Sequence, residues 1–157
     1  MSNFLSPLRI EDAGPGKHGR QVFVLLEEFV YEIGAEKSGI IIRVPIGFVT
    51  DFASIPRLLW SIVSPVGQHG KAAVVHDFLY RKTSGFSKIL ADAIFFEAME
   101  ILGVPWYRRW TMYLAVRFFG RSSFQWEDHT PPPIPMTAEV ASLVREIRDD
   151  VIDRQLA

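Results

Sequence analysis

The chain contains no cysteine, which excludes disulfides and thiolate metal sites and leaves the redox compartment unread. Long apolar runs are also missing. No stretch reaches the roughly 18 uncharged apolar residues of a membrane span, and MSNFLSPLRIED at the start lacks the basic region and continuous apolar core of a secretory signal. The expectation is a protein without a transmembrane segment or signal peptide. Nor is there a surplus of either charge: 17 basic residues face 18 acidic ones, and a pI near 6.4 argues against a nucleic-acid binder. Arg108, Arg109, Arg117 and Arg121 make a local basic strip, read as a solvated helix edge. What is abundant is apolar surface. A hydrophobic content of 48% over 157 residues suffices for one packed domain. Twelve Phe, four Trp and four Tyr exceed what one core hides, so an exposed aromatic surface for a protein or lipid partner is expected.

The first fifty residues read as strands: Leu8 to Glu11, Arg20 to Leu26, Glu28 to Ile33 and Gly39 to Val44, with a last short strand near Phe48. AGPGKHG and GAEKSG punctuate them as turns, and the close succession without helices predicts an antiparallel meander. In EFVYEI the alternation puts Phe29, Tyr31 and Ile33 on one face, and Glu28, Val30 and Glu32 on the other, which is expected to be wet. Ser54 and Pro56 then open a helix burying Leu58, Leu59, Ile62 and Val63, which Pro65 breaks.

Lys71 to Arg81 suits a second helix, in which Asp77 and Arg81, four apart, read as a surface ion pair. Ser87 is the N-cap of a third, ending at Gly103, with Ile89, Ala93, Phe96 and Met99 or Leu102 as its inward stripe. Pro105 restarts a helix that runs to Gly120. It is apolar nearly all round, so it should be buried between layers or pressed on a partner. Residues 121–136 form a proline-rich connector, and Thr137 caps a terminal amphipathic helix over 137–157, striped by Val140, Leu143, Val144, Ile147, Val151 and Ile152.

The segments GFVTDFASIPR, GKAAVVHDFLY, ADAIFFEAM and LGVPWYRRWTMYLAVRFFG occur in order between Gly47 and Gly120. Together they resemble the family of phage and bacterial proteins called domain of unknown function 1353. That resemblance implies a phage or prophage origin and no particular reaction. Locally, HDFLY followed by ADAIF is similar to the HDxxY and ADxxF pair of phospholipase A2 enzymes. This second resemblance implies His76 as the base that draws a proton from water and Asp77 as a calcium ligand, with Asp92 and Tyr80 as supporting hydrogen-bond partners. The helical spacing is compatible, since His76 and Tyr80 lie one turn apart while Asp77 is rotated by about 100°. The YxGxG calcium loop of those enzymes has only the weak counterpart PVGQHG. Asp51, with Asp77 and His76 or His69, offers oxygen and nitrogen ligands for another kind of divalent-metal site. The same His76, Asp77, Tyr80 and Asp92 equally fit a buried polar network that locks two helices together.

The sequence therefore predicts one α+β domain over residues 1–120, an antiparallel sheet of four or five strands against three or four helices, followed by the connector and terminal helix. Two functions are expected from it. One is a particle component of a phage, in the tail or baseplate, binding other virion proteins through its aromatic surface and C-terminal arm, and located in the virion or in host cytoplasm before assembly. The other is a hydrolase using calcium or another divalent metal on lipid or cell-envelope bonds.

Overall fold

The computed structural model describes residues 3–16, 21–34, 37–52, 69–122 and 124, with Lys82 and Ser122 described in backbone only. The helix expected after Ser54, the connector beyond Phe124 and the terminal helix from Thr137 lie outside the described residues. Five strands form where β-branched and aromatic residues recur between turns: β1 (Ile10–Pro15), β2 (Gln21–Leu25), β3 (Phe29–Glu32), β4 (Ile41–Val44) and β5 (Val49–Thr50). Three helices follow, α1 (Gly70–Leu79), α2 (Lys88–Ile101) and α3 (Trp106–Phe119). The architecture is α+β.

The strands are antiparallel, but they divide into two sheets, β1-β2-β5 and β3-β4, where a single meander was expected. The turn after β4 explains the division. Gly47 takes φ +79°, and the Phe48 N–H donates to the Pro45 carbonyl at 3.1 Å, so the chain swings away from β4. It then lies on β2 in the register Phe23 to Thr50 and Val24 to Val49. β1 starts two residues later than predicted and runs four further. Its middle is exposed, so pairing with β2 holds it, and a burial pattern could not reveal it.

β3 is buried at all four positions, which corrects the expectation of a wet face. Residues 3–5 lie along its edge: the Leu5 N–H donates to the Val30 carbonyl at 3.0 Å, and the Glu32 N–H to the Asn3 carbonyl at 2.9 Å. Phe4 packs against the Phe29 and Tyr31 rings. The Glu32 carboxylate turns back under the following loop, accepting from the Lys37 and Gly39 N–H groups at 3.1 and 3.0 Å. A charged side chain is thus hidden with its acceptors engaged, which is the condition for burying it.

α1 is the central helix, buried at eight of its ten residues, and its small Ala72 and Ala73 admit close neighbours. α2 packs back on it. Ser87 caps α2 as expected, its Oγ accepting from the Leu90 N–H at 3.3 Å. The inward face of α2 matches the predicted stripe only at Met99: Ile89 and Ala93 are exposed, and the other buried residues are Ala91, Asp92, Ile94, Phe95 and Ala98. Asp92 lies on the inward face, where it meets His76 and Tyr80 of α1. Glu97 ties α2 to the two-stranded sheet, accepting from the Tyr31 hydroxyl at 3.0 Å and the Gly34 N–H at 2.6 Å.

α3 buries only Met112, Ala115 and Val116. The expectation that it is sandwiched between layers fails. Tyr113 and one side of Trp110 pack on the Phe96 ring of α2, while Trp106, Phe118 and Phe119 are largely exposed.

Candidate functional site

Three helices converge on Asp92. His76 and Tyr80 stand one turn apart on α1, and Lys88 and Asp92 one turn apart on α2, so each pair shares a helix face. His76 Nε2 lies 3.1 Å from Asp92 Oδ1, and the Tyr80 hydroxyl donates to the same oxygen at 2.5 Å. Lys88 Nζ donates to Asp92 Oδ2 at 2.7 Å. Arg117 of α3 lies 3.7 Å from that oxygen. Both His76 and Asp92 are fully buried. The His76 ring is packed between Tyr80 and Phe95, with centroids 4.0 and 4.6 Å away.

Burial alone would raise the Asp92 carboxyl, but donation from His76, Lys88 and Tyr80 outweighs it and holds the group below the usual carboxylate range. Asp92 is therefore an anion, and an ionised carboxylate only accepts. The proton facing it belongs on His76 Nε2, and the other ring nitrogen is Nδ1. Among the described residues nothing donates to that Nδ1, although it is buried. The Tyr80 hydroxyl is pushed up by its burial first and then by its hydrogen bond to Asp92 and that group's charge, so it stays a donor.

Lys88 does a second task. Its ammonium also donates to the carbonyls of Val116 at 2.9 Å and Arg117 at 3.3 Å, two acceptors in the last turn of α3, of which the first also accepts from the Gly120 N–H. One lysine thus closes the junction of α2 and α3.

Asp77 sits apart from this cluster. It is buried, which corrects the reading of a surface ion pair, and its Oδ2 accepts from the Thr50 hydroxyl at 2.6 Å, fastening α1 to β5. Arg81, four residues on, donates to the Val49 carbonyl at 3.1 Å and lies over the Phe48 ring. Asp51 is half-buried next to Thr50. Phe52 follows with φ +50°, a left-handed conformation unusual for a bulky residue, its ring buried against Phe23. A calcium site would need several oxygen ligands around Asp77. Among the described residues, no group of three or more His, Asp or Glu side chains could hold a metal ion. One Asp77 oxygen is already engaged by Thr50. The described residues around Asp77 do not by themselves make such a site.

The structure thus joins His76, Tyr80 and Asp92, as the motif spacing predicts, and separates Asp77 into a contact with β5. Lys88 and Arg117 escaped the sequence reading. Lys88 had one available signal, its position four residues before Asp92 on the same helix. Arg117 is brought in only by the packing of α3.

A family model described as protein of unknown function (DUF1353) matches residues 23–116, which takes in the end of β2, all of β3 to β5, the polar cluster except Arg117, and most of α3. A curated relative, the uncharacterized protein y4jT of Sinorhizobium fredii (strain NBRC 101917 / NGR234), is 32% identical over 111 residues, covering 69% of this chain and 31% of the relative. The chain spans about a third of that protein's length. No solved structure matches significantly. Among the described residues, no helix is long and apolar enough to cross a membrane.

Proposed function

The chain belongs to the DUF1353 family, and from that premise we propose that it is a component of a phage particle, in the tail or baseplate, that binds neighbouring proteins through the outer face of α3. The observation that carries this reading is a row of four large side chains. Trp106, Trp110, Leu114 and Phe118 recur every four residues and are 69, 48, 43 and 72% exposed. Side chains four apart stack into one ridge. A ridge of this chemistry facing water costs solvation, and interfaces are where Trp, Tyr and Phe concentrate. The polar cluster supports the same reading, since a buried network in which Asp92 is held by His76, Tyr80 and Lys88 serves architecture. The particle setting comes from the family resemblance, with the virion, or host cytoplasm before assembly, as its location.

The test is mass spectrometry of purified particles from a host carrying the gene, with wild type and a Trp110→Glu/Leu114→Glu variant. The chain is expected in wild-type particles and lost from variant ones. Absence of the wild-type chain from particles overturns the proposal.

A second reading, a hydrolase acting on lipid or cell-envelope esters, is favoured by one observation, the undonated Nδ1 of His76 opposite the Asp92 contact. There His76 would take a proton from water as the oxygen adds to the ester carbonyl, and Asp92 would stabilise the resulting imidazolium. Complete burial of both side chains opposes it. A lipid-hydrolysis assay comparing wild type with His76→Gln decides this, and equal turnover in both removes the reading.

A further inference from the structure

The outer row of α3 is held in shape by its own chain. The Trp110 ring meets Phe96 of α2 at 5.1 Å and Tyr113 at 5.8 Å, and Trp106 meets Tyr107 at 6.1 Å. The polar groups bordering the row are answered within the chain too. Arg109 is paired with Glu100 at 2.7 Å and Arg117 approaches Asp92. The Thr111 hydroxyl donates to the Tyr107 carbonyl at 2.7 Å, and Arg108 stands on the opposite side of the helix. The row itself carries no charge. A segment that binds through charge gains nothing there, and one with polar groups to bury would leave them unpaired. The face fits another apolar face whose own charges are already matched.

Its size decides what it can hold unaided. Trp106, Tyr107, Trp110, Leu114 and Phe118 are between 43 and 72% exposed, and with aromatic side chains of about 150–250 Å² each they offer roughly 600–700 Å² per chain. Two such faces in contact bury roughly 1,200–1,400 Å², which enters the range of about 1,200–2,000 Å² for a specific, stable interface. The row therefore suffices for a dimer without any other surface. It is also complementary to itself. Four members at four-residue spacing are symmetric about the level of Met112. Two α3 helices laid antiparallel across a two-fold axis at that level set Trp106 beside the partner's Phe118 and Trp110 beside the partner's Leu114. Every member is covered at once, and the two helix dipoles oppose.

We infer that the α3 ridge is the interface of a two-fold dimer of this chain, formed by two antiparallel α3 helices. The inference rests on the α3 interface proposed above and names a second copy as its occupant. Such a contact is isologous, so association stops at two. It buries apolar surface and no unmatched charge, so it holds as salt rises.

Sedimentation velocity on the full chain tests the stoichiometry. Wild type is expected to go from monomer to dimer with concentration and no further, with affinity changed by less than about twofold between low and high salt. Trp110→Glu/Leu114→Glu is expected to weaken the dimer by at least about tenfold, because it sets carboxylates across the axis from their own mates. Circular dichroism checks that this variant is folded. Trp106→Ser/Phe118→Ser, which changes only the two most exposed members, replaces it otherwise. The absence of native cysteine allows the register to be read by cross-linking. Trp106→Cys mixed with Phe118→Cys is expected to join through a short bismaleimide, and Trp106→Cys alone is expected not to, because antiparallel helices hold the two copies of residue 106 roughly 18 Å apart along their axes.

A wild-type chain that stays monomeric overturns the inference and leaves the α3 interface reading to the particle experiment, where entry of the ridge variant into particles would sink that reading as well. A dimer that survives both ridge variants lies elsewhere on the molecule and overturns the inference. Cross-linking of Trp106→Cys to itself in preference to Phe118→Cys makes the helices parallel and overturns the two-fold arrangement. Binding of a monomeric wild type to phosphatidylcholine vesicles that is lost with the ridge variant assigns the face to lipid, and also overturns it.

Discussion

Lys88 Nζ donates at 2.9 Å to the Val116 carbonyl, so the first turn of α2 is tied to the last turn of α3 by the same ammonium that neutralises Asp92. Stability should therefore be sensitive to either partner of that ion pair. Asp92→Asn keeps the shape but leaves Lys88 and Arg117 facing a neutral amide in a buried site. Breaking a buried pair from one side costs about 3–5 kcal/mol, and the expected loss lies in that range. Urea unfolding followed by circular dichroism measures it, and a change under about 1 kcal/mol would contradict the role given to Asp92.

The acid limb of stability should follow the same carboxylate. Its folded pKa is lowered, so its contribution is fully present above the unfolded aspartate value of about 3.9 and is lost as pH falls through the lower folded value. Unfolding curves below pH about 4 should show wild type losing more stability than Asp92→Asn.

The alkaline limb has the opposite sign. Tyr31 and Tyr80 are both raised, by burial first and then by Glu97 and Asp92 respectively. Their contribution holds below the unfolded tyrosine value of about 10 and is lost as pH climbs beyond it. Tyr80→Phe should flatten part of this fall, measured by the same denaturant titrations between neutral and strongly alkaline pH.

Gly120 is a test of how tightly the cluster is enclosed. A Cβ added there would sit 2.6 Å from the Tyr80 hydroxyl oxygen and 3.2 Å from its Cε2, and the hydroxyl cannot retreat without leaving Asp92. Gly120→Ala is expected to cost about 1–3 kcal/mol, as overpacking does. Adding Tyr80→Phe removes the closest atom, so the double variant should be less destabilised than the two single losses combined. Strict additivity in a thermal-unfolding cycle would refute the contact.

The two faces of α3 should respond differently. Met112→Ala empties a buried position and is expected to cost about 2–5 kcal/mol. Trp106→Ala on the outer row should change stability of the isolated chain by no more than about 0.5 kcal/mol. Chemical denaturation of the two variants separates these outcomes directly.

Much of this molecule was legible before the structure, and the failures share one cause. β2 through β5 were readable because short β-branched runs are bounded by turns, and Ser87, Pro105 and Gly103 marked helix ends through capping chemistry. His76, Tyr80 and Asp92 were readable as a group because two helical spacings superpose them. Faces were harder. α2 is apolar on most sides, so periodicity could not say which side turns inward. The expected pairing of Asp92 with His76 pointed to the side that is buried, against the stripe chosen from the apolar residues alone. Glu32 misled, because a buried carboxylate satisfied by loop N–H groups looks like surface in a sequence. Residues 3–5 pair along β3 through few residues and carry no alternation long enough to detect. Arg117 joins Asp92 across a tertiary contact that no local pattern encodes.

The cluster around Asp92 also constrains how this family can drift. Changing any single member strands a donor or a charge inside the protein, so each one-step neighbour in sequence space is penalised although an all-apolar replacement of similar volume could be stable. Exchange of the whole set demands several coordinated substitutions on three helices. The network should therefore persist through long divergence on structural grounds alone. Invariance of His76 and Asp92 among relatives, when it is compared, will not by itself mark them as catalytic.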